Sequence, residues 1–145
     1  MNGLGGFVAF VAGWLLAQLA KLVIALVRNR GKLGMREGLE WLTKSGGMPS
    51  GHTASFVGLT VFLGFSEGFM SSIFVLAVCM AAIVVYDAVN VRRAVGEQGK
   101  LLNEIAKDQK IKKKLRVVEG HTVPQVIVGA ILGVLVGWAV FLVLK

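Results

Sequence analysis

Long apolar stretches alternate with short polar ones along this chain, and the alternation predicts four membrane-crossing helices. Residues 4–28 form an apolar run broken only by Gln18 and Lys21 before it ends at Arg28. At 1.5 Å per residue they span about 37 Å, enough to cross a bilayer with some tilt. A second run, 51–65, covers only about 22 Å, so its N-terminal end is expected below the headgroup plane and partly desolvated. Ser66-Glu67-Gly68 forms a tight connection to a third run, 69–91, which turns polar only in its last turns. Residues 123–144 form the fourth. The expected fold is all-α: one membrane domain over 1–145, a bundle of about four transmembrane helices, with two long loops (29–50 and 94–120) on one face.

Composition supports this reading. Hydrophobic residues make up 55% of the 145 and mean hydropathy is +0.72, well above soluble composition. The first run is not a cleavable signal peptide, because its basic cluster (Arg28, Arg30, Lys32, Arg36) follows rather than precedes it. Cys79, the one cysteine, lies in an apolar run and acts as a small apolar filler. Within the loops, Arg36–Lys44 reads as a short amphipathic surface helix (Leu39, Trp41, Leu42). Val95 to Ile105 has helical spacing of apolar positions, and Lys107 to Arg116 is a basic run attracted to anionic lipid.

The distribution of charge sets an expected orientation. Of 16 basic residues, five lie from Arg28 to Lys44 and nine from Arg92 to Arg116, while Lys145 alone is clearly on the opposite side. The positive-inside rule then makes both loops cytoplasmic, with the termini outside a plasma membrane. A net charge of +8 does not imply a nucleic-acid partner, since the cations border the membrane without interleaved aromatics. Gly129, Gly133 and Gly137, four apart, mark a close-packing helix face that is also compatible with self-association.

That topology gathers the unusual polar residues at one membrane face. The end of the first span supplies Lys21 and Arg28, and the start of the second supplies Ser50, Gly51 and His52. Asp87, Asn90, Arg92 and Arg93 come from the end of the third, Glu119 and His121 from the start of the fourth. Two readings of Pro49-Ser50-Gly51-His52 compete. It is either a Pro/Gly turn ending in a Ser N-cap or an oxyanion site built on first-turn N–H groups and the positive helix dipole. Lys21 either snorkels to the interface or faces a bundle interior with Gln18 and Arg28. Asp87, inside apolar sequence, needs a cationic partner. Two histidines with several cations at one depth suit phosphate chemistry, one imidazole attacking and the other protonating the leaving oxygen. His52 and His121 with Asp87 or Glu119 lack local metal-ligand spacing, so no metal or other cofactor is expected.

These residues resemble the signatures of the type 2 phosphatidic acid phosphatase superfamily, which includes the vanadium-dependent haloperoxidases. Pro49-Ser50-Gly51-His52 looks like its second signature. Lys21 and Arg28, seven apart, fit the first, although Asn29 stands where a proline is usual. The third is partial: His121 is present, but Leu115 occupies the arginine position and Gln125 the aspartate position. Together with Tyr86-Asp87-Ala88-Val89-Asn90-Val91-Arg92-Arg93 and Glu119-Gly120-His121-Thr122, the chain is similar to that superfamily's divergent branch of small membrane proteins.

The resemblance implies metal-independent hydrolysis of a phosphomonoester, of phosphatidic acid or phosphatidylglycerol phosphate type, at the cytoplasmic face. His121 would be the nucleophile and His52 the acid for the leaving group. Lys21, Arg28 and Arg92 or Arg93 would neutralise the phosphoryl oxygens, aided by N–H groups near Ser50 and Gly51, and Glu119 or Asp87 would orient His121. The partner would be an anionic lipid. The alternatives are a catalytically silent protein that binds anionic lipid or a protein partner, and a polyprenyl diphosphate phosphatase.

Overall fold

The structure, a computed structural model, describes residues 2–29, 46–111, 115, 117 and 120–144. The expected amphipathic helix at 36–44, most of the basic run after Lys110, and Glu119 lie outside the described residues. Helix α1 runs Asn2–Arg28, α2 Gly51–Glu67, α3 Ser72–Tyr86, α4 Arg92–Asp108 and α5 Val123–Leu144. A π-helical turn, Asp87–Val91, joins α3 to α4 without a break. The described residues thus form helices and no strands, in four rods, in keeping with the expected all-α fold.

Three rods are long and apolar enough to cross a membrane: 3–28, 72–108 and 123–144. Their large apolar side chains mostly face outward, with Phe7, Leu76 and Ile131 each more than half exposed. In water that arrangement would be unstable; in lipid it is the required one. The fourth rod, α2, has 17 residues and is about 26 Å long. It lies at the centre, touching α1, α3 and α5.

Small residues on two sides of α2 set this arrangement. On α5, a Cβ added at Gly129 would lie 2.7 Å from the Ser50 carbonyl oxygen, at Gly133 2.7 Å from that of Ala54, and at Gly137 2.3 Å from that of Gly58. The partners also step by four residues, so two matching ridges meet at backbone contact. On the opposite side, a Cβ at Gly13 of α1 would lie 2.6 Å from the same Ala54 oxygen, and Ala9 and Ala17 beside it are fully buried. The glycine face anticipated on the last span is therefore occupied within the chain. Thr60 adds a polar tie, its hydroxyl lying 2.7 Å from Phe56 O and 3.2 Å from Ala77 O on α3.

Caps explain the helix boundaries. Ser50 Oγ accepts from the Thr53 N–H and hydroxyl, and it is fully buried. Ser71 Oγ accepts from Phe74 N–H and donates to Gly68 O, closing the turn in which Gly68 (φ 93°) ends α2. The third span consequently begins at Ser72 rather than at 69. It also does not stop at 91: no glycine or proline interrupts residues 87–95, so the helix continues into what hydropathy alone reads as loop.

Candidate functional site

The ends of α1 and α3, the starts of α2 and α5, and α4 meet at one end of the bundle. The segment before α5 is anchored by its backbone. His121 N–H donates to Ala88 O of the π turn at 2.9 Å, and Ser50 N–H donates to Gln125 O at 3.1 Å. Gly120 lies directly on the Arg92–Arg93 backbone, where an added Cβ would be 2.3 Å from Arg93 N and 2.5 Å from its Cα. The π turn thus seats the histidine, in keeping with the placement of such turns at functional sites. Gly120→Ala is expected to destabilise the protein by about 1–3 kcal/mol, because backbone cannot yield to the methyl group. It should also speed exchange of the His121 amide proton, read by hydrogen exchange in micelles.

His121 is 5% exposed. Its Nδ1 lies 3.2 Å from Gln125 Oε1, which also accepts from Thr122 N–H at 3.1 Å. A backbone N–H only donates, so this second bond identifies the amide atom as oxygen and requires Nδ1 to carry the proton. Nε2 is left with its lone pair. Among the described residues, the orienting partner of His121 is therefore Gln125, one helical turn on. Asp87, an expected orienter, is paired with Arg92 instead.

Burial holds the His121 pKa below the ordinary histidine value. The charges of Lys21 and His52 push the same way, while hydrogen bonds with Gln125 and the Gly47 backbone offset part of the effect. The unfolded chain then binds a proton at His121 over a pH window in which the folded chain does not. Stability should fall as pH drops from about 6.5 towards the lower folded value. His121→Asn is expected to flatten the pH dependence of thermal unfolding in that window.

The remaining expected residues sort by position. His52, in the first turn of α2, has an exposed side chain in the field of Arg92, Lys21 and Asp87, and it acts on His121 in turn. Lys21 is 5% exposed and close enough to act on both imidazoles. Among the described residues no carboxylate is within ion-pair distance of it. An ammonium so buried favours an anion beside it. Arg28 is exposed at the last turn of α1, two turns beyond Lys21. Ser50 serves as a buried cap, and Gly51 is packed against Trp14 and Ala17 of α1.

Arg93 points differently from Arg92. It bonds Glu97 at 3.1 Å and lines a cavity of about 260 Å³ together with Glu97, Lys100, Gly47, His121 and Gln125. Glu97 and Lys100 were not anticipated, although Arg93, Gly96, Glu97 and Lys100 share one face of α4 by their spacing. Gly47 joins the cavity through a backbone at φ 79°, a conformation favouring glycine.

An uncharacterized membrane protein of Bacillus subtilis (strain 168), YuiD, is 29% identical over 143 residues, covering 86% of this chain and 86% of that protein. No solved structure matches. A family model described as the divergent PAP2 family matches residues 5–136, which take in α2, α3, α4 and the π turn, most of α1, the first part of α5 and both histidines. The chain is a membrane protein and belongs to the divergent PAP2 family.

Proposed function

We propose that this protein hydrolyses the phosphomonoester of a membrane lipid, with no metal, through a histidine nucleophile. The observation that carries the reading is His121: buried, its Nδ1 proton held by Gln125, and within the field of the buried Lys21 ammonium. A neutral imidazole with a defined tautomer is a competent nucleophile, and nearby cations favour a dianionic phosphoryl group.

In this mechanism His121 Nε2 attacks phosphorus and the bond from phosphorus to the lipid oxygen breaks. His52 gives its proton to that departing oxygen, leaving a phosphohistidine and a lipid alcohol. Water then attacks the phosphohistidine, His52 takes its proton, and inorganic phosphate leaves with His121 restored. Lys21 and the arginines near the two rings stabilise charge on the equatorial oxygens. Because the nucleophile must be unprotonated and its pKa is depressed, the acid limb of kcat/KM is expected below about pH 6.5.

The charge asymmetry, fourteen basic residues from Arg28 to Lys44 and from Arg92 to Arg116 against one at the far end, supports a cytoplasmic site. The substrate would then be an inner-leaflet lipid monophosphate of phosphatidic acid or phosphatidylglycerol phosphate type, in the plasma membrane. A panel of lipid phosphates offered to purified wild type, His121→Ala and His52→Ala tests the proposal. Phosphate release should fall about 10³-fold or more in the His121 variant. Equal release from wild type and His121→Ala would end the enzymatic reading and leave a binder of anionic lipid.

A further inference from the structure

In the superfamily this chain resembles, an arginine precedes the third-signature histidine, but here that position is Leu115. Its backbone N–H donates to Asn103 Oδ1 at 2.8 Å and its carbonyl accepts from Asn103 Nδ2 at 3.0 Å. Leu115 is thereby fastened to α4 one turn past Lys100, 41% exposed and away from the His121 cavity. Lys21 acts on His121 from α1, and any further positive charge for an anion there must come from a residue other than Leu115. Arg92 is committed to Asp87, on the side of His52.

The cavity wall on α4 offers an answer. Arg93 and Lys100 are seven residues apart, two turns along one face, and both line the cavity that His121 enters. Between them, Gly96 is buried and contributes no side chain, which leaves room for a ligand. Glu97 bonds Arg93 and lines the same space. A carboxylate there opposes an incoming anion while the site is empty, and an entering phosphoryl group competes with it for the guanidinium.

We propose that Arg93 and Lys100 form the oxyanion clamp beside His121, with Glu97 as its internal competitor. The clamp rests on the hydrolase reading only for its purpose; its ligand chemistry is that of a tetrahedral oxyanion, whether lipid-borne or free. Such a clamp on α4, beyond the apolar part of its rod, is reachable from water, so inorganic phosphate should bind without any lipid.

The test is titration of the purified full-length protein with inorganic phosphate and, separately, orthovanadate, followed by calorimetry, beside lipid-phosphate hydrolysis on the same samples. Arg93→Ala and Lys100→Ala should each weaken binding about tenfold or more, as for loss of a charge-assisted hydrogen bond. Glu97→Gln should tighten it about threefold, a gain that misfolding does not produce. Lys107→Ala, further along α4, should leave affinity unchanged. Unaltered affinity in both cation variants, weaker binding in Glu97→Gln, a larger loss from Arg92→Ala than from Arg93→Ala, or no phosphate binding by wild type would each overturn the clamp. Binding that depends on Arg93 and Lys100, with no release from any lipid phosphate, would uphold it and sink the hydrolase reading alone.

Discussion

Gln125→Ala is expected to lower turnover about 10²–10⁴-fold, while the variant still folds and KM changes little. The size follows from tautomer control: without an acceptor at Nδ1 the imidazole proton is free to sit on either nitrogen, and a histidine protonated at Nε2 cannot attack. The amide oxygen that performs this task is fixed by two donors, Nδ1 and the Thr122 N–H. Its carbonyl separately receives Ser50 N–H, a main-chain bond that alanine preserves. A change confined to kcat therefore identifies a positioning role.

Gln125→Glu extends the test in the opposite direction. A carboxylate at Nδ1 stabilises the imidazolium, so the acid limb of the pH profile should move up relative to wild type while activity above it persists. Steady-state kinetics across pH 5–8 reads both variants. An alanine variant with unchanged kcat, or a glutamate variant whose acid limb moves down, would remove Gln125 from the mechanism.

Gly133→Leu is expected to cost about 3 kcal/mol or more and to separate α5 from α2. Its Cβ would lie 2.7 Å from Ala54 O, 2.8 Å from Val57 Cβ and 3.0 Å from Gly58 N. Two of those atoms are backbone, which no rotamer change relieves. The opposite side of Ala54 is closed as well, because Gly13 of α1 approaches the same carbonyl, so α2 cannot retreat. Unfolding of the purified protein in mixed micelles measures the loss. Gly3→Ala, where an added Cβ meets nothing within 4 Å, is the control and should change stability by no more than about 1 kcal/mol. Since α2 carries His52 and its cap bonds to α5, the leucine variant should lose phosphate binding along with its packing.

How far the site was legible depends on whether its residues stand out by type. His52, His121 and Lys21 are conspicuous because imidazoles and an ammonium beside apolar runs are costly, and all three do converge. Arg28, noticed for the same reason, ends up exposed at the end of α1, two turns past Lys21. Gln125, Glu97 and Lys100 are ordinary residues at ordinary helical positions. Nothing in their spacing distinguishes a surface pair from a cavity wall until α4 is known to continue from α3 and to pass His121. The two arginines carry the same lesson: adjacency in sequence puts them about 100° apart on a helix, and the structure pairs Arg92 with Asp87 while Arg93 lines the cavity shared with His121.

By itself the chain determined its solvent and its helices, because runs of apolar residues this long leave the backbone no partner but itself in lipid. It also determined that the chemistry would gather at one end, since alternating crossings bring those polar ends together. Tertiary structure decided the rest: that α2, the shortest rod, is the central one, that the glycine ridge is spent inside the protomer, and that, among the described residues, the amide of Gln125 holds His121. Each of these depends on which helix faces meet at backbone distance. Hydropathy does not encode that choice, because all faces of a membrane helix are similarly apolar and only the removal of side-chain bulk distinguishes one from another.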